Sequence, residues 1–321
     1  MKKSVWQKLF KSLFRLLVPA LSLLILAIVA ASVWLVHRAA NPPRAGYLVT
    51  PERFAQFTTK GLEITDEKWS NKDGTGSRGW LVRGAENAPA VVLLHRYGTD
   101  RSWLLNLGVK LREATNFTVL IPDQRGHGEN PLVNFSSFGG GEAEDLVAAV
   151  EFLRGLKTKS GKNQTGEKIG VYGVEMGAIA AVFGAEKEKA IQALALDSVP
   201  ENSEDVLESS VKARSSMFGE FAYQIACRAT YLYYRNGFRH EYASEAAKNL
   251  NDRRVLLLAG KDAPELQSTT NELSKSFTDA ANVQIKTDLQ PSGYNLINTA
   301  TPAQEDAYDK IVIEFFLQSL S

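Results

Sequence analysis

Apolar residues form one long run near the start of the chain and short, regularly spaced runs after it. The first run, Leu16 to Val36, holds 21 residues without a charge. As an α-helix it measures about 31 Å, which matches the hydrocarbon core of a bilayer. The later runs are brief, rich in Val, Ile and Leu, and separated by segments with helical spacing. The pattern therefore predicts a membrane-spanning helix followed by an α/β domain.

Six segments of the body have the length and branching expected of buried strands. Strands that alternate with helices form a mostly parallel sheet with helices on both faces. A hairpin centred on Asp73 and Gly74 precedes this series. The predicted strands are residues 88–95, 118–123, 168–174, 191–198, 253–262 and 282–289.

The alternation stops between Pro200 and Asn251, where the chain is helical and aromatic. We interpret this stretch as a small helical cap inserted over the carboxyl edge of the sheet, where open α/β folds bind ligands. The alternative is a helix pair packed on the side of the domain. The predicted organisation is a basic segment (1–15), a transmembrane signal anchor (16–36), a linker (37–60) and the α/β domain (61–321), with the cap at about 200–251.

The distribution of charge predicts how the chain sits in a membrane. Residues 1–44 hold seven Lys or Arg and no acid, which leaves 30 basic against 36 acidic residues in the body. More basic residues precede the span than follow it closely, so we expect a cytoplasmic N-terminus and an extracytoplasmic domain. The run exceeds a secretory h-region, which favours an uncleaved anchor, while Ala30 and Ala31 leave a cleaved signal peptide open. The acidic body argues against a nucleic-acid partner.

The sequence contains no recognisable motif for binding a cofactor or a metal. Cys227 is the only cysteine, so no internal disulfide forms, and its helical surroundings are typical of a core residue. No Cys/His cluster has the spacing of a metal site. The glycines of residues 138–145 are not followed by the lysine of a phosphate loop. We therefore predict no cofactor and no metal.

Four separated segments carry motif-like residues: VVLLHRYG (91–98), LIPDQRGHGEN (120–130), GVEMGA (173–178) and VLLLAGKDAPE (255–265). In this order they resemble the oxyanion loop, the D-x-R-G-H-G segment, the nucleophile elbow and the acid-bearing strand end of the α/β-hydrolase superfamily. The resemblance covers residue 61 to the C-terminus. It is greatest to membrane-anchored esterases and prolyl-oligopeptidase-like hydrolases, and it implies the α/β-hydrolase fold.

The catalytic triad that this resemblance implies is degenerate. Glu175 stands where the elbow carries serine, and Tyr294 stands where the late turn carries histidine. Asp262 is the possible acid, one residue earlier than the family pattern places it. The chain has four histidines, and none follows Asp262. Since a serine hydroxyl needs an imidazole to accept its proton, the usual general base is missing from the usual place.

The resemblance also implies what surrounds Glu175. The backbone N–H groups of Tyr97 and Met176 are expected to form an oxyanion hole that holds an anion or the Glu175 carboxylate itself. His95 and His127 belong to loops where the family uses histidine structurally, and His95 is expected to line the pocket together with Arg96. Arg96 replaces a glycine of the family pattern, and we expect it to pair with Glu175 at the pocket floor. The alternative places Arg96 on the surface and caps Glu175 with N–H groups of the following helix.

Two classes of function remain open from the sequence. The favoured one is a catalytically impaired, membrane-anchored pseudo-hydrolase that binds a small molecule or a protein partner through the old pocket. The other is an active hydrolase that uses Glu175 as a carboxylate nucleophile, or a rearranged site with Asp262, His240 or Tyr294. Glutamate is one methylene longer than the aspartate nucleophiles of this fold, and a misplacement of about 1 Å costs about a hundredfold in rate.

Overall fold

One mixed sheet organises the domain in the computed structural model, which describes residues 2–44, 46–54, 62–212, 219–234 and 238–321. Its strands are β1 (Ile64–Ser70), β2 (Gly76–Val82), β3 (Ala88–Leu94), β4 (Thr118–Asp123), β5 (Thr165–Val174), β6 (Ile191–Asp197), β7 (Arg254–Gly260) and β8 (Val283–Leu289). They lie in the order β1-β2-β4-β3-β5-β6-β7-β8. β2 is antiparallel to β1 and β4, and the six strands β3 to β8 run parallel. All six predicted parallel strands are present.

Helices cover both faces of the sheet. The α-helices of the described residues are α1 (Lys2–Ala40), α2 (Pro51–Phe54), α3 (Leu105–Thr115), α4 (Gly140–Gly155), α5 (Met176–Lys187), α6 (Ser203–Lys212), α7 (Gly219–Tyr233), α8 (Ala243–Ala247), α9 (Pro264–Ser274), α10 (Leu296–Thr299) and α11 (Pro302–Leu320). Apolar residues of α4, α5, α8 and α9 fill one core against the sheet. Those of α3 and α11 fill the core on the opposite face.

The register of the central strands brings their carboxyl ends together. Leu94 of β3 pairs with Gly173 of β5, and Val174 of β5 pairs with Asp197 of β6. The residues that follow these three strands therefore emerge side by side at one edge of the sheet. This is the edge at which open α/β folds bind ligands.

The predicted cap is present but shorter than the sequence indicated. α6 and α7 pack over the elbow in a separate apolar cluster that includes Met176. α8 instead packs in the core beside α5 and α9, where Ala243, Ala246 and Ala247 are buried. The alternation of strands and helices therefore resumes before Asn251, because α8 has the small apolar residues of a sheet-packing helix.

The N-terminal helix extends beyond the predicted span. α1 is one helix of 39 residues, long and apolar enough between Phe10 and Ala40 to cross a membrane. Residues 37–40, predicted as the start of a linker, continue the helix, and Ala39 and Ala40 are buried against the domain. The linker prediction is wrong there because the helix end packs on α7. Residues 41–44 and 46–54 of that predicted linker are described and include the short helix α2, whereas residues 55–61, its end and the predicted domain start, lie outside the described residues.

Close packing of α5 on the sheet explains the glycines around the elbow. A Cβ at Gly177 would collide with the carbonyl groups of Leu94 and His95, and a Cβ at Gly173 would collide with the backbone of Gly177. The space beside Gly155, at the end of α4, is open. The two elbow glycines are therefore required by packing whether or not the site is catalytic.

We expect Gly177→Ala to lower the free energy of unfolding by about 1–3 kcal/mol, the usual cost of overpacking. Gly155→Ala is the matched control, because a helical alanine without a clash is neutral or stabilising by up to about 1 kcal/mol. Urea unfolding of the full chain in detergent measures both variants. Equal losses at the two positions would show that backbone crowding at Gly177 is not the cause.

Candidate functional site at the strand-to-helix elbow

Glu175 occupies the turn between β5 and α5 with an unusual backbone conformation. Its φ of 48° and ψ of −109° place a non-glycine residue at positive φ. Such a conformation costs about 1–3 kcal/mol and persists only where the surroundings enforce it. Here the Glu175 N–H donates to the carbonyl of Asp197 at 3.0 Å. The side chain is 3% exposed and points toward the loop that follows β3.

The Glu175 carboxylate occupies the predicted oxyanion hole. Its Oε2 accepts hydrogen bonds from the backbone N–H of Tyr97 at 2.8 Å and from that of Met176 at 3.4 Å. These are the two donors that the motif positions predicted. An oxyanion hole works when its donors face the oxygen of a reacting carbonyl. In this chain the donors face a glutamate oxygen.

Burial dominates the electrostatics of this carboxyl group. Desolvation raises the pKa of Glu175, while the charge of Arg96 and the N–H bonds from Tyr97 and Met176 lower it without cancelling the rise. The protonated form is therefore favoured more than in water. A neutral carboxyl still accepts both N–H bonds through one oxygen.

Arg96 neither pairs with Glu175 nor lies on the surface, whereas the predicted capping of Glu175 by an N–H group of the following helix is present at Met176. Its guanidinium lies over the ring of Tyr294 at 4.6 Å and over that of Trp103 at 5.5 Å. Within the part of the chain that the structure describes, no ion pair joins Arg96 to Glu175, and the side chain is half-buried rather than on the surface. Cation–π attraction to two rings holds the guanidinium away from the carboxylate. Its charge still acts on Glu175 at a distance.

Asp262 holds the turn that carries Tyr294. Its carboxylate accepts hydrogen bonds from the Ser292 N–H at 3.0 Å, the Ser292 hydroxyl at 2.9 Å and the Asn295 side chain at 2.9 Å. Burial alone would raise the pKa of Asp262, but these hydrogen bonds outweigh it and lower the pKa. Both carboxylate oxygens are thus engaged by the turn. The group predicted as a possible triad acid lies in the same cleft as Tyr294 and fixes its loop.

A second acid under this turn escaped the sequence analysis. Asp197, the last residue of β6, is fully buried and accepts hydrogen bonds from the Gly293 N–H at 3.0 Å and the Tyr308 hydroxyl at 2.8 Å. Tyr308 also bonds to the hydroxyl of Tyr172 at 3.0 Å. Burial raises the pKa of Asp197. The sequence signal that could have identified Asp197 is an acidic residue at the end of an apolar strand, because the carboxyl ends of parallel strands form the edge where ligands bind.

His95 and His127 tie together the loops behind the elbow. The Nε2 of His95 accepts from the Gln124 N–H at 3.1 Å, and the Nε2 of His127 accepts from the Gly98 N–H at 3.0 Å. The Nδ1 of each ring lies within hydrogen-bond distance of a backbone carbonyl, so each ring is a neutral donor and acceptor. Burial lowers the pKa of both. They serve as loop clamps, as the resemblance implied.

The other two histidines lie away from Glu175. His240 binds the Glu204 carboxylate at 2.6 Å through Nδ1 and stacks on Tyr231. His37 lies 3.0 Å from the hydroxyl of Tyr233. All four histidines of the sequence lie in described residues, and none of them contacts Glu175. A rearranged site built on His240 is therefore not assembled.

A cleft of about 660 Å³ opens in front of Glu175 and Tyr294, which is a volume suited to a small ligand. The start of α9 and the cap helix α6 form its walls. Lys212 is the one cation among its described lining residues, and it is paired with Glu208. The acidic groups that line it beside Glu175 are Glu201, Asp205, Glu208, Asp262 and Glu265.

Several solved structures with a similar architecture are of an esterase, hydrolases and a peptidase. An esterase of Pyrococcus furiosus matches with 20% identity and a TM-score of 0.66 over 88% of this chain and 98% of that one. A dienelactone hydrolase of Anabaena variabilis matches with 14% identity and a TM-score of 0.54, over 81% and 99%. An acylaminoacyl peptidase of Pyrococcus horikoshii matches with 17% identity and a TM-score of 0.59, over 85% and 44%.

These likenesses establish the α/β-hydrolase fold that the motifs implied. No protein-family model matches the chain, and no curated protein matches it by sequence. Since identities this low show the fold alone, the chemistry has to be argued from the residues of this site.

The raised pKa of Glu175 makes a prediction about stability and pH. Between the ordinary carboxyl value of 4.5 and the higher folded value, the native state binds more protons than the unfolded state, so this group lowers stability as pH rises. Glu175→Gln keeps an acceptor in the hole and removes the titration. We expect the variant to gain stability relative to the native protein across that window, by at most about 1.4 kcal/mol per pH unit.

Urea unfolding of both proteins from pH 4.5 to 8 measures this difference. Other buried acids titrate in the same range, and comparing the two proteins at each pH removes their contribution. If instead the native protein became more stable relative to the variant as pH rises, the charge of Arg96 and the N–H groups would lower the pKa of Glu175 by more than burial raises it.

Proposed function

We propose that this is a membrane-anchored pseudo-hydrolase, which binds a small-molecule ligand in the cleft above Glu175 and does not turn over esters. The single observation that carries the proposal is the Glu175 carboxylate in the oxyanion hole, bonded to Tyr97 and Met176. A substrate carbonyl needs those two N–H groups to stabilise the charge of its transition state. The side chain that replaces the nucleophile also blocks the group that polarises the substrate.

The same observation counts against Glu175 as a carboxylate nucleophile. Attack on an ester places the oxygen of the substrate carbonyl in this hole, which the Oε2 of Glu175 already occupies. Any ester formed on Glu175 would also need a base-activated water for its release. The four histidines, all of them described, are engaged elsewhere. Neither step of a covalent mechanism is supported.

The charge of the cleft narrows the class of ligand. Five carboxylates besides Glu175 line it, against the paired Lys212 among its described residues. A negative potential of this kind repels anions and favours neutral or cationic molecules. The second oxygen of Glu175, Oε1, receives no hydrogen bond from a described residue. We therefore expect a ligand that forms a hydrogen bond with this oxygen, as a donor to the carboxylate or as an acceptor from the protonated carboxyl group.

The proposed membrane attachment rests on α1 and on its charges. The helix is long and apolar enough to span a bilayer. Basic residues concentrate before its apolar run, which supports a cytoplasmic N-terminus and an extracytoplasmic domain. We propose that the helix is retained as an anchor.

The purified protein should not react with a fluorophosphonate probe and should not hydrolyse short acyl esters above the rate of Glu175→Ala. A serine esterase of the same fold serves as the positive control for both assays. Gel fluorescence measures labelling, and release of p-nitrophenol measures turnover. Steady hydrolysis that disappears in Glu175→Ala would refute the pseudo-hydrolase proposal.

Restoring two residues tests whether the scaffold still positions a triad. Glu175→Ser empties the hole but has no base, so we expect no esterase activity from it alone. Adding Tyr294→His places an imidazole on the turn that Asp262 and Asp197 hold, and we expect trace esterase activity. The hydrolysis rate of p-nitrophenyl acetate is measured for both variants. Activity in the single variant would reveal a base other than residue 294.

A further inference from the structure

The anchor helix enters the domain before its apolar run ends. Arg15 is the last charged residue before the run, and every residue from Leu16 to Ala31 is exposed, whereas beyond Ala31 one side of the helix is covered and Trp34 stays exposed on the other. Ser32 is already 7% exposed, and Val36 is fully buried in protein. The free helix from Leu16 to Ala31 therefore measures about 24 Å, while a hydrocarbon core is about 30 Å thick. Counted from the first residue after Arg15, about 6 Å of the core is left without a matching length of helix exposed on all sides, and the exposed Leu13 and Phe14 before Arg15 are the alternative source of that length.

Protein surrounds the helix at the point where it leaves the lipid. His37 lies 3.0 Å from the Tyr233 hydroxyl of α7, and the Ala40 carbonyl accepts from the Ser136 N–H at 2.7 Å. Val36 and Ala39 pack in one apolar cluster with α6 and α7. The domain surface next to the bilayer is therefore built from the end of α7 and the loop that contains Ser136.

This surface carries exposed apolar and aromatic side chains. Trp34 is 60% exposed, and the Arg38 guanidinium lies 5.6 Å from its ring centre. Leu232 is 64% exposed beside Tyr233, and Phe135 packs its ring against Tyr233 at 6.4 Å. Aromatic side chains with a neighbouring arginine are typical of the membrane–water interface. We call the exposed residues Trp34, Phe135, Tyr231 and Leu232 the rim.

We propose that the rim lies in the interfacial layer of the bilayer and supplies the missing apolar length, so that the cap binds lipid directly. The rim side chains would have to enter the bilayer by about 6 Å, which is the depth reached by apolar side chains at the boundary between headgroups and acyl chains. This inference rests on the proposed anchor and goes beyond it, because a helix alone would leave the cap in water. Local thinning of the bilayer around α1 is the competing way to absorb the mismatch.

Site-specific fluorescence in liposomes distinguishes these cases. In a Cys227→Ala background, Leu232→Cys and Ile285→Cys are each labelled with the environment-sensitive fluorophore NBD in the full chain. Ile285 is the matched control, 50% exposed on the edge strand β8. Lipids with a nitroxide on the headgroup or near the top of the acyl chain act as quenchers, and aqueous iodide reports exposure to water.

We expect the Leu232 label to emit at shorter wavelength and to be quenched by the nitroxide lipids about twofold or more above the Ile285 label, as an interfacial depth requires. Iodide should quench the Ile285 label more strongly. Carbonate extraction of the same liposomes reports the anchor separately. If the protein resists carbonate but the Leu232 label is exposed to water, the proposed lipid contact of the rim is wrong and the anchor stands. If carbonate extracts the whole protein, both the proposed anchor and the proposed lipid contact are wrong.

Discussion

The hydrogen bonds between the Glu175 carboxylate and the N–H groups of Tyr97 and Met176 are the constraint on which this site depends. The tight turn between β5 and α5 forces the side chain at position 175 inward, where it is 3% exposed. A buried carboxylate without donors is costly. The nearest donors are those that the fold places at the ends of β3 and β5. The same two hydrogen bonds therefore satisfy the buried carboxylate and occupy the donors of the predicted oxyanion hole.

Features that depend on the backbone were predictable from the sequence, because strand length, glycine spacing and motif order fix them. The two N–H donors followed from the positions of Tyr97 and Met176 in their motifs, since a backbone donor does not depend on the side chain. The orientation of Arg96 was not predictable in this way. Its guanidinium lies between Trp103, a local neighbour, and Tyr294, which comes from a distant turn. Only the packed fold brings those two rings to the same side chain.

Two other differences have the same origin in long-range packing. Asp197 follows an apolar strand, and a single sequence does not distinguish such a residue from a solvated turn acid. Its partners Gly293 and Tyr308 lie about a hundred residues further along the chain. The start of the predicted linker, residues 37–40, precedes a Pro-Pro sequence typical of spacers. These residues are helical because α7, nearly two hundred residues later, covers them.

The end of the anchor and the elbow belong to one packed unit. Val36 and Ala39 of α1 share an apolar cluster with Met176, and the Tyr97 hydroxyl donates to the Ala39 carbonyl. Protein interiors are close-packed and transmit small displacements. A shift of the helix end within the bilayer would therefore reach both residues that hold Glu175. If the cap binds lipid and the cleft binds a ligand, as proposed above, this cluster connects the two sites, and the connection does not require a catalytic residue at position 175.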